Sequence, residues 1–134
     1  MAQKVTEFGS FVDSIFYNIF FQSDDELSAR YAKEHLSPDL KVRINGKGIP
    51  GDSFKDSIVA ARAKSSFRVV QVQEILANTD ANKASGGSVS HLTVFSVKDK
   101  DTGDERHESS LTLVTCALED GAVVITELTE IHRG

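Results

Sequence analysis

Apolar side chains near the start of the chain follow the spacing of one face of an α-helix. They recur at intervals of three and four residues, which predicts an amphipathic helix; the members are Phe8, Phe11, Val12, Ile15, Phe16, Ile19 and Phe20. Five of the eight phenylalanines of the chain lie between Phe8 and Phe21. We therefore expect this helix to cover much of the hydrophobic core.

Two further helices are predicted in the first half of the chain. Ser23 and Glu26 have the spacing of a capping box, in which each side chain accepts a hydrogen bond from the other's backbone N–H. A second helix should therefore run over about residues 24–36, and Pro38 excludes its continuation. A weaker cap at Ser53 predicts a third helix that ends near residue 65.

The rest of the chain alternates β-branched and aromatic residues with polar ones, which predicts strands. The predicted strands cover residues 40–44, 67–78, 88–98, 105–118 and 122–132. Asp-Thr-Gly at 101–103 and Asp-Gly at 120–121 predict hairpin turns. Residues 45–51 are predicted to form a turn, and residues 79–87 a polar, mobile loop.

This order of elements predicts an α+β fold. Three helices in the N-terminal half precede long meandering strands, and one sheet must bury a face against the helices. Strands of this length twist and coil. We therefore expect a cone-shaped, curved antiparallel (mixed) sheet of about five to six strands, with the helices covering a central pocket. With 134 residues, 40% of them hydrophobic, residues 1–134 are expected to form a single domain.

Composition and charge exclude several classes of partner. The net charge is −5 and there is no long basic run, so we expect neither nucleic acid nor an anionic membrane as a partner. No segment approaches the roughly 20 apolar residues that span a bilayer, and no secretion signal is recognisable. The single cysteine, Cys116, excludes an internal disulfide. These features predict a soluble, cytoplasmic protein.

Two passages resemble the nuclear transport factor 2-like superfamily, whose members include ketosteroid isomerase, scytalone dehydratase and the SnoaL-like polyketide cyclases. HLSPDLKVRINGKGIPG, from His35 to Gly51, is similar to the superfamily's connection between its second helix and its first strand. LEDGAVVITELTEIHR, from Leu118 to Arg133, is similar to its final strand after an acidic-glycine turn. The resemblance covers nearly the whole chain. It implies a fold more than an activity, because the fold carries enzymes, binding modules and adaptors alike.

The hairpin turns give an expected register for the pocket wall. A two-residue Asp-Gly turn places Leu111 opposite Glu130, and the preceding hairpin places His91 opposite Leu113. The resemblance to ketosteroid isomerase-like proteins implies that this face is concave. The ligand-binding residues expected there and on the first helix are Phe16, Thr93, Phe95, Leu111, Leu113 and Leu128. A single bulge would turn part of the wall outward, and Glu127 would then replace Glu130 as a candidate.

Three side chains are candidates for acid–base catalysis. A carboxylate in an apolar pocket has a raised pKa, and a histidine there titrates near neutrality. Glu130 and His91 are therefore predicted to move protons to or from an enolisable substrate. Tyr17 is predicted to donate a hydrogen bond to a carbonyl, like the helix tyrosine of ketosteroid isomerase. Each also has a structural alternative: His91 as a core or surface histidine, Glu130 as a solvated residue, Tyr17 as an interface residue.

The acidic positions of ketosteroid isomerase are not matched. The resemblance implies a general-base aspartate near Ile44 and an oxyanion-hole aspartate near Leu113 or Thr115, and none of these residues is acidic. No metal-ligand spacing or phosphate-binding loop is recognisable, so neither a metal nor a cofactor is expected. The first hypothesis is a cofactor-free isomerase, cyclase or dehydratase that acts on a small hydrophobic compound of secondary metabolism. The second is a non-catalytic module that binds a ligand or a protein.

A homodimer is expected under both hypotheses, because the resemblance implies pairing through the outer, convex face of the sheet. The expected register gives this face an apolar patch that would be a liability if it were exposed. Its members are Val114, Cys116, Leu118, Val123 and Ile125.

Overall fold

The computed structural model describes residues 5–80 and 83–134. Within this part of the chain the helices are α1 (Glu7–Phe16), which continues as a π-helical turn (Tyr17–Phe21), α2 (Asp25–His35) and α3 (Gly51–Lys64). The strands are β1 (Leu36–Ile44), β2 (Lys47–Pro50), β3 (Ser65–Asp80), β4 (Lys83–Asp99), β5 (Glu105–Glu119) and β6 (Ala122–Arg133). The predicted α+β class is therefore confirmed, with three helices in the N-terminal half and six strands.

The strands form one curved, open sheet in the order β2-β1-β6-β5-β4-β3. β1 and β6 are parallel, and every other neighbouring pair is antiparallel. One face of the sheet packs against the helices around a core of aliphatic side chains, of which Val12, Ile15 and Ile19 are contributed by α1 and the turn after it. No described helix is both long and apolar enough to cross a membrane.

The second helix begins one residue later than the capping-box pattern indicated. The carboxylate of Asp24, not the hydroxyl of Ser23, accepts hydrogen bonds from the backbone N–H groups of Glu26 and Leu27, at 3.0 and 3.2 Å. Aspartate is as good an N-cap as serine, and its charge is favourable at a helix N-terminus. The helix then ends at His35, and Leu36 already belongs to β1.

The segment predicted as a turn and the segment predicted as a mobile loop both contain residues paired in strands. Asn45 and Gly46 both have positive φ, at 50° and 83°, so residues 45–51 contain a tight hairpin turn that pairs β2 with β1. In the predicted loop over residues 79–87, Thr79 pairs with Gly87. Residues 81 and 82 of that loop lie outside the described residues.

One extra residue in β6 shifts its pairing with β5 relative to the expected register. The turn at Asp120-Gly121 has the predicted positive φ angles, 49° and 81°. Cys116 pairs with Ile125, but Thr115 pairs with Glu127, so Thr126 is a β-bulge. Every pairing beyond the bulge is displaced by one residue relative to the predicted register. The predicted pairing of His91 with Leu113 is wrong by one residue as well, because His91 pairs with Thr112. Since side chains alternate between faces, the predicted wall of β5 is turned outward.

The observed registers of β5 with β4 and β6 correct several predictions about the two faces of the sheet. Leu111 and Leu113 lie on the outer face and are 39% and 51% exposed. Val114, Cys116 and Ile125, predicted on the outer face, are buried in the core instead. Of the predicted outer patch, Leu118 is exposed and Val123 packs against the core.

A buried arginine holds the π-helical turn against α3 and the start of α2. The Nε atom of Arg62 donates to Asp25 at 2.8 Å. Its Nη1 atom donates to the carbonyl oxygens of Ile19 and Phe20 at 3.0 and 3.2 Å, and its Nη2 atom to that of Gln22 at 2.9 Å. These carbonyls end a helical segment, where intrahelical donors run out; the Ile19 carbonyl also accepts from the hydroxyl of Ser28 at 2.6 Å. Arg62 therefore fixes the phenylalanine-bearing turn.

Candidate active site

A cavity of about 420 Å³ lies between the helices and the inner face of the sheet. Aromatic rings form much of its wall: the ring centroid of Phe95 lies 5.8 Å from that of Phe21 and 6.3 Å from that of Phe67. The apolar lining residues are Phe16, Phe20, Phe21, Phe54, Ala61, Phe67, Phe95 and Val97. A cavity of this volume and lining is large enough for a small, mainly apolar molecule.

Polar side chains form two rows on the sheet side of this cavity. In the first row Glu130 on β6 lies opposite Thr112 on β5, and Thr112 lies opposite His91 on β4. The second row, two residues further along each strand, consists of His132, Ser110 and Thr93. Neighbouring strands are about 4.8 Å apart. The first row therefore presents a histidine, a hydroxyl and a carboxyl group within about 10 Å.

His91 faces Asp13, which α1 places at the same cavity. His91 is only 5% exposed, and this burial lowers the pKa of its imidazole, while the negative charges of Asp13 and Glu74 oppose the change. Burial also raises the pKa of the Asp13 carboxyl, opposed by the charge of His91. The two pKa values thus move toward each other, so a proton passes between these groups and a bound molecule at a smaller free-energy cost.

The carboxyl group of Glu130 is held by a second histidine. The Nδ1 atom of His132 lies 3.3 Å from Glu130 Oε2, and its Nε2 atom lies 2.8 Å from Glu108 Oε1. Arg106 pairs in turn with the other oxygen of Glu108. Burial raises the pKa of Glu130, and the interaction with His132 opposes this. Glu130 is therefore a fixed carboxyl group that accepts a proton more readily than an exposed glutamate.

No family model and no curated protein matches the sequence. Among solved structures, a ketosteroid isomerase-like protein from Erwinia carotovora atroseptica has a TM-score of 0.66 at 11% identity, covering 96% of this chain and 98% of that one. An NTF2-like protein from Cytophaga hutchinsonii has a TM-score of 0.63 at 12% identity, covering 95% and 98%. The chain has the nuclear transport factor 2-like fold. The association domain of C. elegans CaMKII is also similar, with a TM-score of 0.56 at 12% identity and coverage of 90% and 89%.

In this NTF2-like fold, five of the residues that we predicted for the site line the cavity; they are His91, Glu130, Phe16, Thr93 and Phe95. Tyr17 does not, because it lies on the outer side of the π-helical turn and is 50% exposed. Leu111 and Leu113 do not, because β5 pairs with both β4 and β6 one residue out of the expected register and presents them on the outer face. Leu128 faces inward but is packed in the core rather than at the cavity.

The sequence prediction missed several polar groups of the cavity, including Asp13, Thr112 and Glu108. Asp13 could have been found, because it precedes Phe16 by three residues and therefore shares a helix face with it. Thr112 and Glu108 were missed because the expected register of β5 was one residue out against both neighbours: His91 pairs with Thr112 rather than Leu113, and the bulge at Thr126 places Thr112 opposite Glu130.

Two features limit the chemistry that this NTF2-like cavity can perform. Ile44 lies beside Glu130 on the neighbouring parallel strand, so the position that the resemblance gives to a general base is apolar. Cys116 is buried and its pKa is raised to about 12, so its thiol is not a nucleophile near neutral pH. Within residues 5–80 and 83–134, no three His, Cys, Asp or Glu side chains are arranged to hold a metal ion.

Proposed function

We propose that the cavity binds a small, mainly apolar ketone, or a related enolisable compound, and transfers protons to and from it without a cofactor. The observation that carries the proposal is that one largely apolar cavity combines a buried histidine, His91, with the carboxyl groups of Asp13 and Glu130. Isomerisation, cyclisation and dehydration of such compounds all depend on proton transfer by groups of this kind.

His91 is the proton acceptor in this proposal. Because its pKa is lowered, the imidazole is neutral at pH 7 and takes a proton from the carbon beside the carbonyl. The carbon–hydrogen electron pair moves into the enolate, and the imidazole becomes imidazolium. Asp13 stabilises the imidazolium by its charge. The hydroxyl of Thr112, and the carboxyl group of Glu130 where it carries a proton, donate hydrogen bonds to the enolate oxygen, and return of the proton from the imidazolium completes the cycle.

Deuterium exchange into 2-tetralone tests this function directly. This bicyclic ketone has acidic protons on its C1 carbon, and their loss in D₂O can be followed by ¹H NMR. We expect the protein to accelerate the exchange, with kcat/KM rising with pH and half-maximal below pH 6.5, because only neutral His91 accepts a proton and its pKa lies below 6.5. Exchange no faster than in buffer, or a rate that falls as pH rises through this range, would contradict the proposal.

A non-catalytic ligand-binding module is the second candidate, and the apolar Ile44 beside Glu130 favours it. Such a module would bind 2-tetralone in the cavity without accelerating exchange. The same NMR samples separate the two functions, because saturable broadening of the ketone resonances reports binding and the decay of the C1 proton signal reports turnover.

We also propose a homodimer that forms through the outer face of the sheet. The residues of this interface differ from those predicted from the sequence. Leu92, Leu111 and Ile131 lie opposite one another on β4, β5 and β6, and all three are exposed. Leu113 extends this row. A contiguous exposed apolar patch of this kind favours association, and a second copy of the chain supplies the same patch across a two-fold axis.

Leu111→Asp is expected to convert this dimer into a monomer. The charge would be placed at the centre of the apolar row, where it would have to be desolvated on association. Light scattering at micromolar concentration checks the mass. Val59→Asp is the matched control, because Val59 is an exposed apolar residue on α3; this variant should remain dimeric. A monomeric wild-type protein would contradict the proposed assembly.

A further inference from the structure

Glu74 on β3 is a buried carboxylate that the proposed proton transfer does not use. It is 7% exposed. Its two oxygen atoms accept hydrogen bonds from the backbone N–H of Thr6, at 3.3 and 3.2 Å, and one also accepts from the Thr6 hydroxyl at 3.1 Å. A buried carboxylate needs such partners.

These contacts anchor the first turn of α1. Thr6 is the N-cap of the helix, and its hydroxyl oxygen accepts from the N–H of Gly9 at 2.9 Å. Gly9 lies directly against the carboxylate, since a Cβ atom there would be 1.6 Å from Glu74 Oε1. A negative charge is favourable at a helix N-terminus. Glu74 therefore joins β3 to the beginning of α1 through a contact in which a Cβ atom at position 9 would displace its carboxylate.

The same glutamate lies beside the proposed catalytic pair. Glu74 is paired directly opposite His91 on the neighbouring strand, and a bulge follows it in β3 before Leu76. Asp13 is four residues after Gly9 and seven after Thr6, so these residues share one face of α1. A shift of the helix N-terminus away from β3 would therefore carry Asp13 away from His91.

The geometry points to Glu74 as a positioning residue, which holds the N-terminus of α1 against β3 and thereby sets Asp13 against His91. This inference rests on the proposed function, in which Asp13 stabilises protonated His91. Two simpler roles make different predictions. If Glu74 had only a structural role, its substitution would change the stability of the protein and not the pKa of His91. If Glu74 acted only by its own charge, its substitution would change the pKa of His91 by the same amount with or without Asp13.

A double-mutant cycle on the pKa of His91 distinguishes these roles. The pKa is measured by NMR titration of ¹³C-histidine-labelled protein in the wild type, Asp13→Asn, Glu74→Gln and the double variant, with the His91 signal assigned from His91→Gln. Asp13→Asn should lower the pKa of His91 in the wild type, because it removes a favourable negative charge. In the Glu74→Gln background this decrease should be about half as large or smaller, because Asp13 is no longer held in place.

Equal decreases in both backgrounds would overturn the inference. Glu74→Asp provides a second test that keeps the charge but shortens the reach to Thr6; it should also weaken the effect of Asp13→Asn. Thr6→Ser is the matched control, because it retains the hydroxyl that contacts Glu74. It should leave the effect of Asp13→Asn on the pKa of His91 unchanged. The cycle needs no substrate, so its failure is distinguishable from a failure of the proposed function, which 2-tetralone exchange reports.

Discussion

His91→Gln is expected to lower the protein-catalysed exchange of 2-tetralone by at least about 100-fold, the usual contribution of a general base. Glutamine preserves much of the volume and polarity of the buried side chain but does not accept a proton near neutral pH. His91 is the buried imidazole of the cavity, and Asp13 favours its protonation by charge. The loss should therefore fall mainly on kcat, with a smaller effect on KM.

Two matched variants make this result specific. His107 lies on the neighbouring strand but is exposed, so His107→Gln should exchange 2-tetralone at the wild-type rate. Glu130→Gln should slow the exchange, whereas Glu127→Gln, an exposed glutamate on the same strand, should not. If His91→Gln retained more than about a tenth of the wild-type rate, His91 would not be the general base.

Arg62→Met is expected to lower the free energy of unfolding by about 3 kcal/mol or more. Methionine fills similar volume but removes the donors of the Phe20 and Gln22 carbonyl oxygens, whereas the Ile19 carbonyl keeps its hydrogen bond from Ser28. Each buried acceptor left unsatisfied costs about 1–3 kcal/mol. Urea denaturation followed by far-UV circular dichroism measures the change, because the chain has no tryptophan.

Arg68→Met is the control for this stability prediction. Arg68 is an exposed arginine whose pair with Glu105 spans 3.8 Å, and exposed ion pairs contribute about 1 kcal/mol or less. A loss of less than about 1 kcal/mol in Arg62→Met would mean that water satisfies these carbonyls instead. Because the same turn presents Phe20 and Phe21 to the cavity, Arg62→Met should also weaken ketone binding.

The fold could be predicted from local patterns, because each element depends mainly on its own residues. The apolar spacing from Phe8 to Phe20 gave the first helix, and Asp120-Gly121 gave the last hairpin turn. The cap of α2 was assigned one residue early, since Ser23 and Asp24 are equally good capping residues and only the chain path selects between them.

The site could be predicted only where it did not depend on the register of β5. Residues of α1 and β4, such as Phe16, His91 and Phe95, line the cavity as expected. The bulge at Thr126 has no recognisable local signal, and it exchanged Leu111 for Thr112 beside Glu130. A one-residue displacement therefore replaced an apolar wall with a polar row. Asp13 was missed although its spacing of three residues from Phe16 places both on one helix face.

Binding of an apolar ketone in the cavity beside His91 can be observed by NMR titration of ¹³C-histidine-labelled protein with 2-tetralone. We expect saturable changes in the resonances of His91 and His132, which line the cavity, while the exposed His107 is unaffected. If saturating ketone leaves His91 and His132 unchanged, the ketone does not bind in this cavity.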